Sequence, residues 1–82
     1  MTKYEPLRRW LNGRSASDEV TLGLADIERI LSAALPALAH RHQAWWANDP
    51  SHVHGAAWLS AGWRVDGLDA GRRRVRLRRG AQ

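Results

Sequence analysis

The chain has 82 residues, which predicts one small domain, covering residues 1–82, with a single hydrophobic core. It contains no cysteine and no phenylalanine but five tryptophans, so disulfides and zinc–thiolate sites are excluded and tryptophan must fill much of the core. The formal net charge is +5, no apolar run is as long as a membrane span, and the amino terminus has no signal-like apolar segment. We therefore expect a small basic cytoplasmic domain that does not enter a membrane.

The first third of the chain alternates between helical and extended patterns. Tyr4–Leu11 predicts a short amphipathic helix, because its apolar residues recur every three or four positions. Arg14–Asp18 consists of turn-forming residues and predicts a polar loop. Glu19–Leu22 alternates polar and apolar side chains, as a short half-buried strand does. Leu24–Leu31 carries one apolar stripe and predicts a second helix.

The segment Ser32–Asn48 has an irregular apolar pattern, which we interpret as a helical turn that leads into an extended piece. Neighbouring residues of an extended segment face opposite sides, so Trp45 and Trp46 cannot both enter a small core. One of these two tryptophans is therefore expected at the surface or in an interface.

A third helix is predicted over Pro50–Ala61, because Asp49 can cap it and Gly62 is a suitable stop. On this helix Val53 is expected to face the core and Gly55 to lie nearer to solvent. A glycine inside a helix costs about 1 kcal/mol relative to alanine. Close packing would explain this glycine, and so would a close approach of the helix backbone to a phosphate.

The carboxyl-terminal part predicts a hairpin. Trp63–Leu68 reads as a strand, Asp69–Gly71 as a turn and Arg72–Arg79 as the return strand. Alternation places Val75 and Leu77 towards the core and four arginines outward. All eight acids precede Gly71, so no acid lies among these arginines in sequence. The pattern predicts a polyanion-binding strand, and the alternative is a charged edge that prevents sheets from pairing.

The resulting order is helix, strand, helix, helix, strand, strand, an α+β fold with three helices and a three-stranded antiparallel sheet. This order resembles that of winged helix-turn-helix domains, in which the third helix commonly enters the DNA major groove and the hairpin, or wing, contacts the backbone or minor groove. The resemblance implies a double-stranded DNA-binding domain, with Pro50–Ala61 as recognition helix and Trp63–Arg79 as wing. Two features depart from it: the connection Leu31–Asp49 is long, and the recognition helix contains no lysine or arginine.

The sequence also resembles a group of small bacterial domains that share a KYEPLRRWL-like start, an IERIL-like helix and a WWAND and WLSAGW-like block. These motifs stand at residues 3–11, 27–31 and 45–63. No activity is established for that group, so the resemblance implies one compact domain and no particular function.

Nucleic-acid binding is thus the leading hypothesis. Base readout by bidentate arginine is not available on the recognition helix, so other polar side chains must provide any sequence preference. The predicted contacts are Arg72, Arg74, Arg76 and Arg78 for affinity, and Asn48, Ser51, His52 and His54 for preference. The alternative is a protein-interaction or dimerisation module in which exposed Trp45 or Trp46 anchors a partner or a second copy, while the arginine strand meets an acidic partner.

Other functional classes find little support. The pairs His40 with His42 and His52 with His54 are two residues apart and so do not share a helix face, and no cysteine completes a familiar metal site. The chain has no nucleophile motif, no phosphate-binding glycine loop and no inward pair of carboxylates. We therefore expect no enzyme activity, no metal, no cofactor and no small-molecule substrate, and a homodimer is compatible with either hypothesis.

Overall fold

The fold consists of short helices packed on one face of a three-stranded antiparallel sheet. The structure is a computed structural model and describes residues 2–14 and 18–79. The predicted α+β class and element order are confirmed, whereas the predicted loop Arg14–Asp18 falls largely on residues outside those ranges. In chain order the elements are α1 (Glu5–Asn12), β1 (Glu19–Gly23), α2 (Leu24–Leu31), α3 (Ala37–Arg41), a 3-10 turn (Gln43–Trp46), α4 (Val53–Ser60), β2 (Trp63–Asp69) and β3 (Arg74–Arg79).

Strand β3 is the centre of the sheet and pairs antiparallel with β1 on one side and β2 on the other. Val75 and Leu77 of β3 are buried, as the alternation predicted. Strand β2 contains a bulge, because Val65 pairs with Leu77 whereas Gly67 pairs with Arg76. The bulge makes Asp66 an additional residue in β2.

The hairpin turn, residues 70–73, is longer than predicted, so β3 begins at Arg74 and Arg72 does not lie on the strand. Arg73 has a φ of 55°, in the left-handed region. A residue with a Cβ atom pays about 1–2 kcal/mol in that region. The Arg73 carbonyl accepts a hydrogen bond from the Leu24 amide at 2.8 Å, which ties the turn to the start of α2.

The core lies between the sheet and the helices, and tryptophan fills its centre. Trp46, Trp58 and Trp63 are at most 1% exposed. Truncation of a large buried aromatic residue costs about 3–5 kcal/mol, so these side chains supply much of the stability. The other large side chains that are nearly fully buried are aliphatic: Leu7, Leu11, Leu24, Ile27, Val75 and Leu77.

The connection between α2 and α4 contains the predicted helical turn, α3, but its second half is not extended. Gln43–Trp46 forms a 3-10 turn, so the rule that neighbouring side chains face opposite sides does not hold there. Trp46 is buried, and its Nε1 donates to the Ala39 carbonyl oxygen at 2.8 Å. The prediction of Trp46 as an exposed anchor is therefore wrong. Trp45 is half-buried against the core.

Helix α4 begins later than predicted, at Val53, because Asp49 does not cap it. The Asp49 carboxylate instead accepts hydrogen bonds from the amide and hydroxyl of Ser51, at 2.9 and 2.7 Å. Val53 is 56% exposed and Gly55 is buried, the reverse of the prediction. A Cβ atom at Gly55 would overlap the Asp49 carbonyl oxygen, so this glycine permits a close approach within the chain itself.

Within residues 2–14 and 18–79, no helix combines the length and the apolar character that crossing a membrane requires.

Candidate nucleic-acid interface

The outward face of the sheet carries a group of arginines. Since Val75 and Leu77 face the core, Arg74, Arg76 and Arg78 project from the opposite side of β3. Arg64 of β2 lies directly opposite Arg78 and so projects from the same face. We call Arg64, Arg74, Arg76 and Arg78 the arginine face.

Two acids from neighbouring strands lie within the arginine face. The Asp66 carboxylate is 2.9 Å from Arg76 Nε and 3.4 Å from Arg78 Nη2, and Glu19 of β1 is 3.4 Å from Arg76 Nε. The expectation that the arginines have no acids nearby is therefore wrong in three dimensions. Glu19 lies far from the arginines in sequence and Asp66 lies on the other strand of the hairpin, so strand pairing brings both acids close.

The acids do not neutralise the whole face. Four arginines face two acids, which leaves two positive charges. Among the described residues, no carboxylate lies within 4.0 Å of Arg64 or Arg74. Arg64 and Arg78 also stand directly opposite each other on neighbouring strands, an arrangement that like charges disfavour. An anion bound over this pair would relieve the repulsion.

The hairpin turn adds charge beside this face. Arg72 and Arg73 are exposed, and Arg72 Nε lies 3.9 Å from the Asp69 carboxylate. A shallow depression of about 310 Å³ lies on the arginine face beside the end of β2. Arg74 and Arg76 line it together with Thr21, Gly67, Leu68, Asp69 and Val75. The positive surface thus continues from the sheet to the tip of the hairpin.

Asn48, a predicted base-reading residue, is engaged in structural hydrogen bonds. Its Oδ1 accepts from the Val65 amide at 2.8 Å and from Trp58 Nε1 at 2.9 Å, and its Nδ2 donates to the Val65 carbonyl oxygen at 3.0 Å. The side chain therefore joins β2 to α4. Both polar atoms of this side chain are engaged in hydrogen bonds within the protein, so few of its donors and acceptors remain for a ligand.

His54, another predicted contact, packs within an aromatic cluster. Its ring stacks on Trp45 with centroids 3.9 Å apart and an interplanar angle of 5°. Its Nε2 donates to the Trp45 carbonyl oxygen at 2.9 Å, because a carbonyl oxygen can only accept. Burial lowers the pKa of His54 below its ordinary value, which favours the neutral ring. His54 thus helps to hold the connection against α4.

Ser51 and His52 are exposed beside the start of α4, but an acid lies next to both. Hydrogen bonds from Ser51 lower the pKa of Asp49, so its carboxylate is charged at neutral pH. His52 Nε2 lies 3.6 Å from the same carboxylate. A negative charge at this position opposes the approach of a phosphate.

The predicted recognition helix and the arginines lie on opposite sides of the sheet. Trp58 places α4 on the core face, where it packs near β2, whereas the arginine face projects away from the core. Asn48 and His54 belong to the helical side as well. The predicted contacts therefore do not form one surface. Arg64 and Asp66 were missed, although their outward alternation in the predicted strand Trp63–Leu68 was a usable signal.

The histidine pairs do not extend into a metal site. The rings of His52 and His54 are 5.3 Å apart. In the part of the chain that the structure describes, no group of three or more histidine or acidic residues is arranged to hold a metal ion.

Comparison with known proteins gives a family and no function. A family model described as a domain of unknown function, DUF7662, matches residues 4–80. No curated protein and no solved structure matches the chain. None of these comparisons identifies a winged helix-turn-helix domain, so that resemblance rests on the order of elements alone. Since the match spans nearly the whole chain, the protein belongs to the DUF7662 family.

Proposed function

We propose that this protein binds nucleic acid, double-stranded DNA in the first instance, through phosphate contacts from the arginine face and the hairpin turn. The observation that carries the proposal is the pair Arg64 and Arg78, which stand opposite each other on β2 and β3. Opposed like charges destabilise a sheet, so this arrangement favours a role that requires a concentrated positive charge. Nucleic-acid phosphates would offset the repulsion and release counterions.

The shape of the charge favours a polymer over a single small anion. Alternate residues of a strand are about 6.8 Å apart, so Arg74 to Arg78 spans about 14 Å. Arg64 and the hairpin turn extend the charge further in two directions. An extended row of arginines fits successive phosphates of a backbone better than one compact anion.

This interface predicts affinity with little sequence preference, because phosphate contacts carry no direct base information. Helix α4 is not part of the proposed interface, since it lies on the core side of the sheet and Asp49 stands beside its exposed polar residues. This proposal therefore replaces the recognition helix of the winged-helix hypothesis with the face of the sheet.

An acidic protein partner is the alternative, and it would use the same arginine face. Its tryptophan anchor is weakened, because Trp46 is buried and Trp45 is stacked on His54. Charge alone would then have to hold the partner. The two candidates differ in whether a nucleic-acid backbone or a carboxylate polymer competes better for the face.

The test is binding of labelled duplex DNA, measured by fluorescence anisotropy over a range of salt concentrations. Each lost phosphate contact lowers the slope of log affinity against log salt by about 0.9. The double variant Arg64→Gln with Arg74→Gln should therefore lower the slope by about two units. The matched control is Arg29→Gln with Arg41→Gln, which removes the same charge from α2 and α3 and should leave the slope unchanged.

A second variant should act in the opposite direction. Asp66→Asn removes the acid that engages Arg76 and Arg78, so affinity should rise and the salt dependence should steepen. Asp26→Asn, which changes the same charge on α2, is its control. Absence of binding to duplex DNA, duplex RNA and single strands near physiological salt would refute the proposal. Competition by polyglutamate as effective as that by DNA would favour the acidic protein partner.

A further inference from the structure

The two edges of the sheet differ in how their backbone groups are used. On the β2 edge, the Val65 amide and carbonyl are bonded to Asn48, and the Leu68 amide donates to Gln43 Oε1 at 3.1 Å. Side chains of the long connection thus cover this edge. A covered edge cannot accept a further strand.

The β1 edge is open. The Arg79 amide donates to the Asp18 carbonyl and the Leu24 amide donates to the Arg73 carbonyl, each at 2.8 Å. Residues 18 and 24 therefore exchange hydrogen bonds with β3. In an antiparallel pair every second residue does so, which means that the backbone groups of Val20 and Leu22 also point towards β3. The backbone groups of Glu19, Thr21 and Gly23 then point away from β3. The Gly23 amide donates to Asp26 Oδ2 at 3.1 Å, whereas within the described ranges no hydrogen bond reaches the backbone of Glu19 or Thr21.

An apolar depression accompanies the open edge. It has a volume of about 330 Å³ and is lined by Trp10, Leu22, Asp26, Arg29 and Ile30. It lies on the core side of the sheet, where Leu22 faces. A strand added to the β1 edge would direct alternate side chains into this depression, as in recognition by strand addition.

We infer that β1 pairs antiparallel with β1 of a second copy of this chain, about a two-fold axis through Thr21. The sequence of β1 is self-complementary in this register. Thr21 meets the partner's Thr21, Glu19 meets the partner's Gly23, and Val20 meets the partner's Leu22. Threonine pairs and apolar pairs stabilise neighbouring strands, and no like charges are opposed.

Other registers are less favourable. A two-fold axis at Glu19 would oppose two carboxylates, and one at Gly23 would oppose two residues without side chains. A shift by one residue would move Val20 and Leu22 to the wrong face of the combined sheet. With the axis at Thr21, the Thr21 amide of each copy can donate to the Thr21 carbonyl of the other. The same register brings Val20 of each copy to the depression of the other.

The dimer would have one continuous six-stranded sheet. Its two β3 strands would be three strand spacings apart, about 14 Å, and both arginine faces would project from the same side. This inference stands independently of the proposed nucleic-acid binding, because it rests on the β1 edge and the depression beside it.

The first test uses the absence of cysteine from the sequence. Opposed residues in a hydrogen-bonded pair have Cα atoms about 5.5 Å apart, within disulfide range. A Thr21→Cys variant should therefore form a covalent dimer under mild oxidation. Ser51→Cys, also exposed but on the helical side, is the control, and it should cross-link at least about tenfold more slowly because its thiols meet only by collision.

The second test uses sedimentation equilibrium from micromolar to millimolar protein. Thr21→Pro removes an amide that points away from β3, so the ladder within the sheet is retained while two symmetric hydrogen bonds between copies are lost. The dimer dissociation constant should rise by about tenfold or more, and Thr21→Val should leave it nearly unchanged. Circular dichroism checks that the proline variant folds; if it does not, the cross-linking comparison decides.

Three outcomes would overturn the inference. They are a protein that stays monomeric over the whole concentration range, two cysteine variants that cross-link at equal rates, and a folded Thr21→Pro variant that associates as tightly as the parent.

Discussion

The aromatic stretch, residues 45–63, and the arginine strand β3 are each dense in one residue type, yet they obtain their partners differently. In the aromatic stretch the polar atoms bond close by in sequence: Trp58 to Asn48, and His54 to Trp45. In β3 the partners of Arg76 come from two other strands. The first region uses buried and half-buried hydrogen bonds to stabilise the fold, whereas the second keeps charge at the surface. Substitutions should therefore change stability in one region and binding in the other.

The largest contrast is expected between Trp46→Ala and Arg76→Ala. Trp46 is 1% exposed and fills the core, so its removal should lower the free energy of unfolding by about 3–5 kcal/mol. Arg76→Ala removes exposed ion pairs and should cost at most about 1 kcal/mol. Urea denaturation measures both. If both variants lose the same free energy of unfolding, the two regions do not differ in how much they stabilise the fold.

Asn48→Ala should give the next largest effect. It leaves the amide and carbonyl of Val65 and the Trp58 indole N–H without their partner, which should cost about 2–4 kcal/mol. Gln43→Ala is the matched control on the same strand edge, because it removes a single exposed hydrogen bond to Leu68. A loss no greater than that of the control would show that Asn48 does not join β2 to α4.

Arg73→Gly should separate stability from binding at one position. Glycine tolerates the φ of 55°, so the free energy of unfolding should rise by about 1 kcal/mol. The lost charge should lower the salt slope of DNA binding by about one unit. Ser32→Gly, at a φ of 56°, should give a similar gain in stability and no change in binding. A change in binding with Ser32→Gly would contradict the assignment of the hairpin turn.

The smallest effect expected is the pH dependence caused by His54. Its folded pKa lies below its ordinary value of 6.5 because of burial, so the unfolded state binds a proton more readily. The resulting stability is present above about pH 6.5 and is lost as the pH falls through the folded pKa. His54→Phe keeps an aromatic ring over Trp45. It should reduce the fall in the free energy of unfolding that occurs as the pH is lowered from 7. The control is His42→Phe at an exposed position, which should leave the pH dependence of stability unchanged. If the two variants show the same pH dependence, His54 is not its cause.

Much of the fold was predictable because it follows from local patterns. The apolar stripe of Leu24–Leu31 coincides with α2, and the alternation in β3 correctly separated buried Val75 and Leu77 from the exposed arginines. The start of α4 was wrong because the Asp49 side chain bonds to Ser51 instead of capping the helix. The exposure of Trp46 was wrong because a 3-10 turn replaced the expected extended segment.

By itself, the sequence determined the α+β class, the order of elements, the tryptophan-rich core and the clustering of positive charge in the last strand. Each of these depends on composition or on a period of a few residues. The tertiary structure alone decided that Glu19 lies among the arginines, that α4 and the arginine face occupy opposite sides of the sheet, and that β1 has the open edge. These features depend on strand pairing between residues up to about sixty positions apart, which no local pattern encodes.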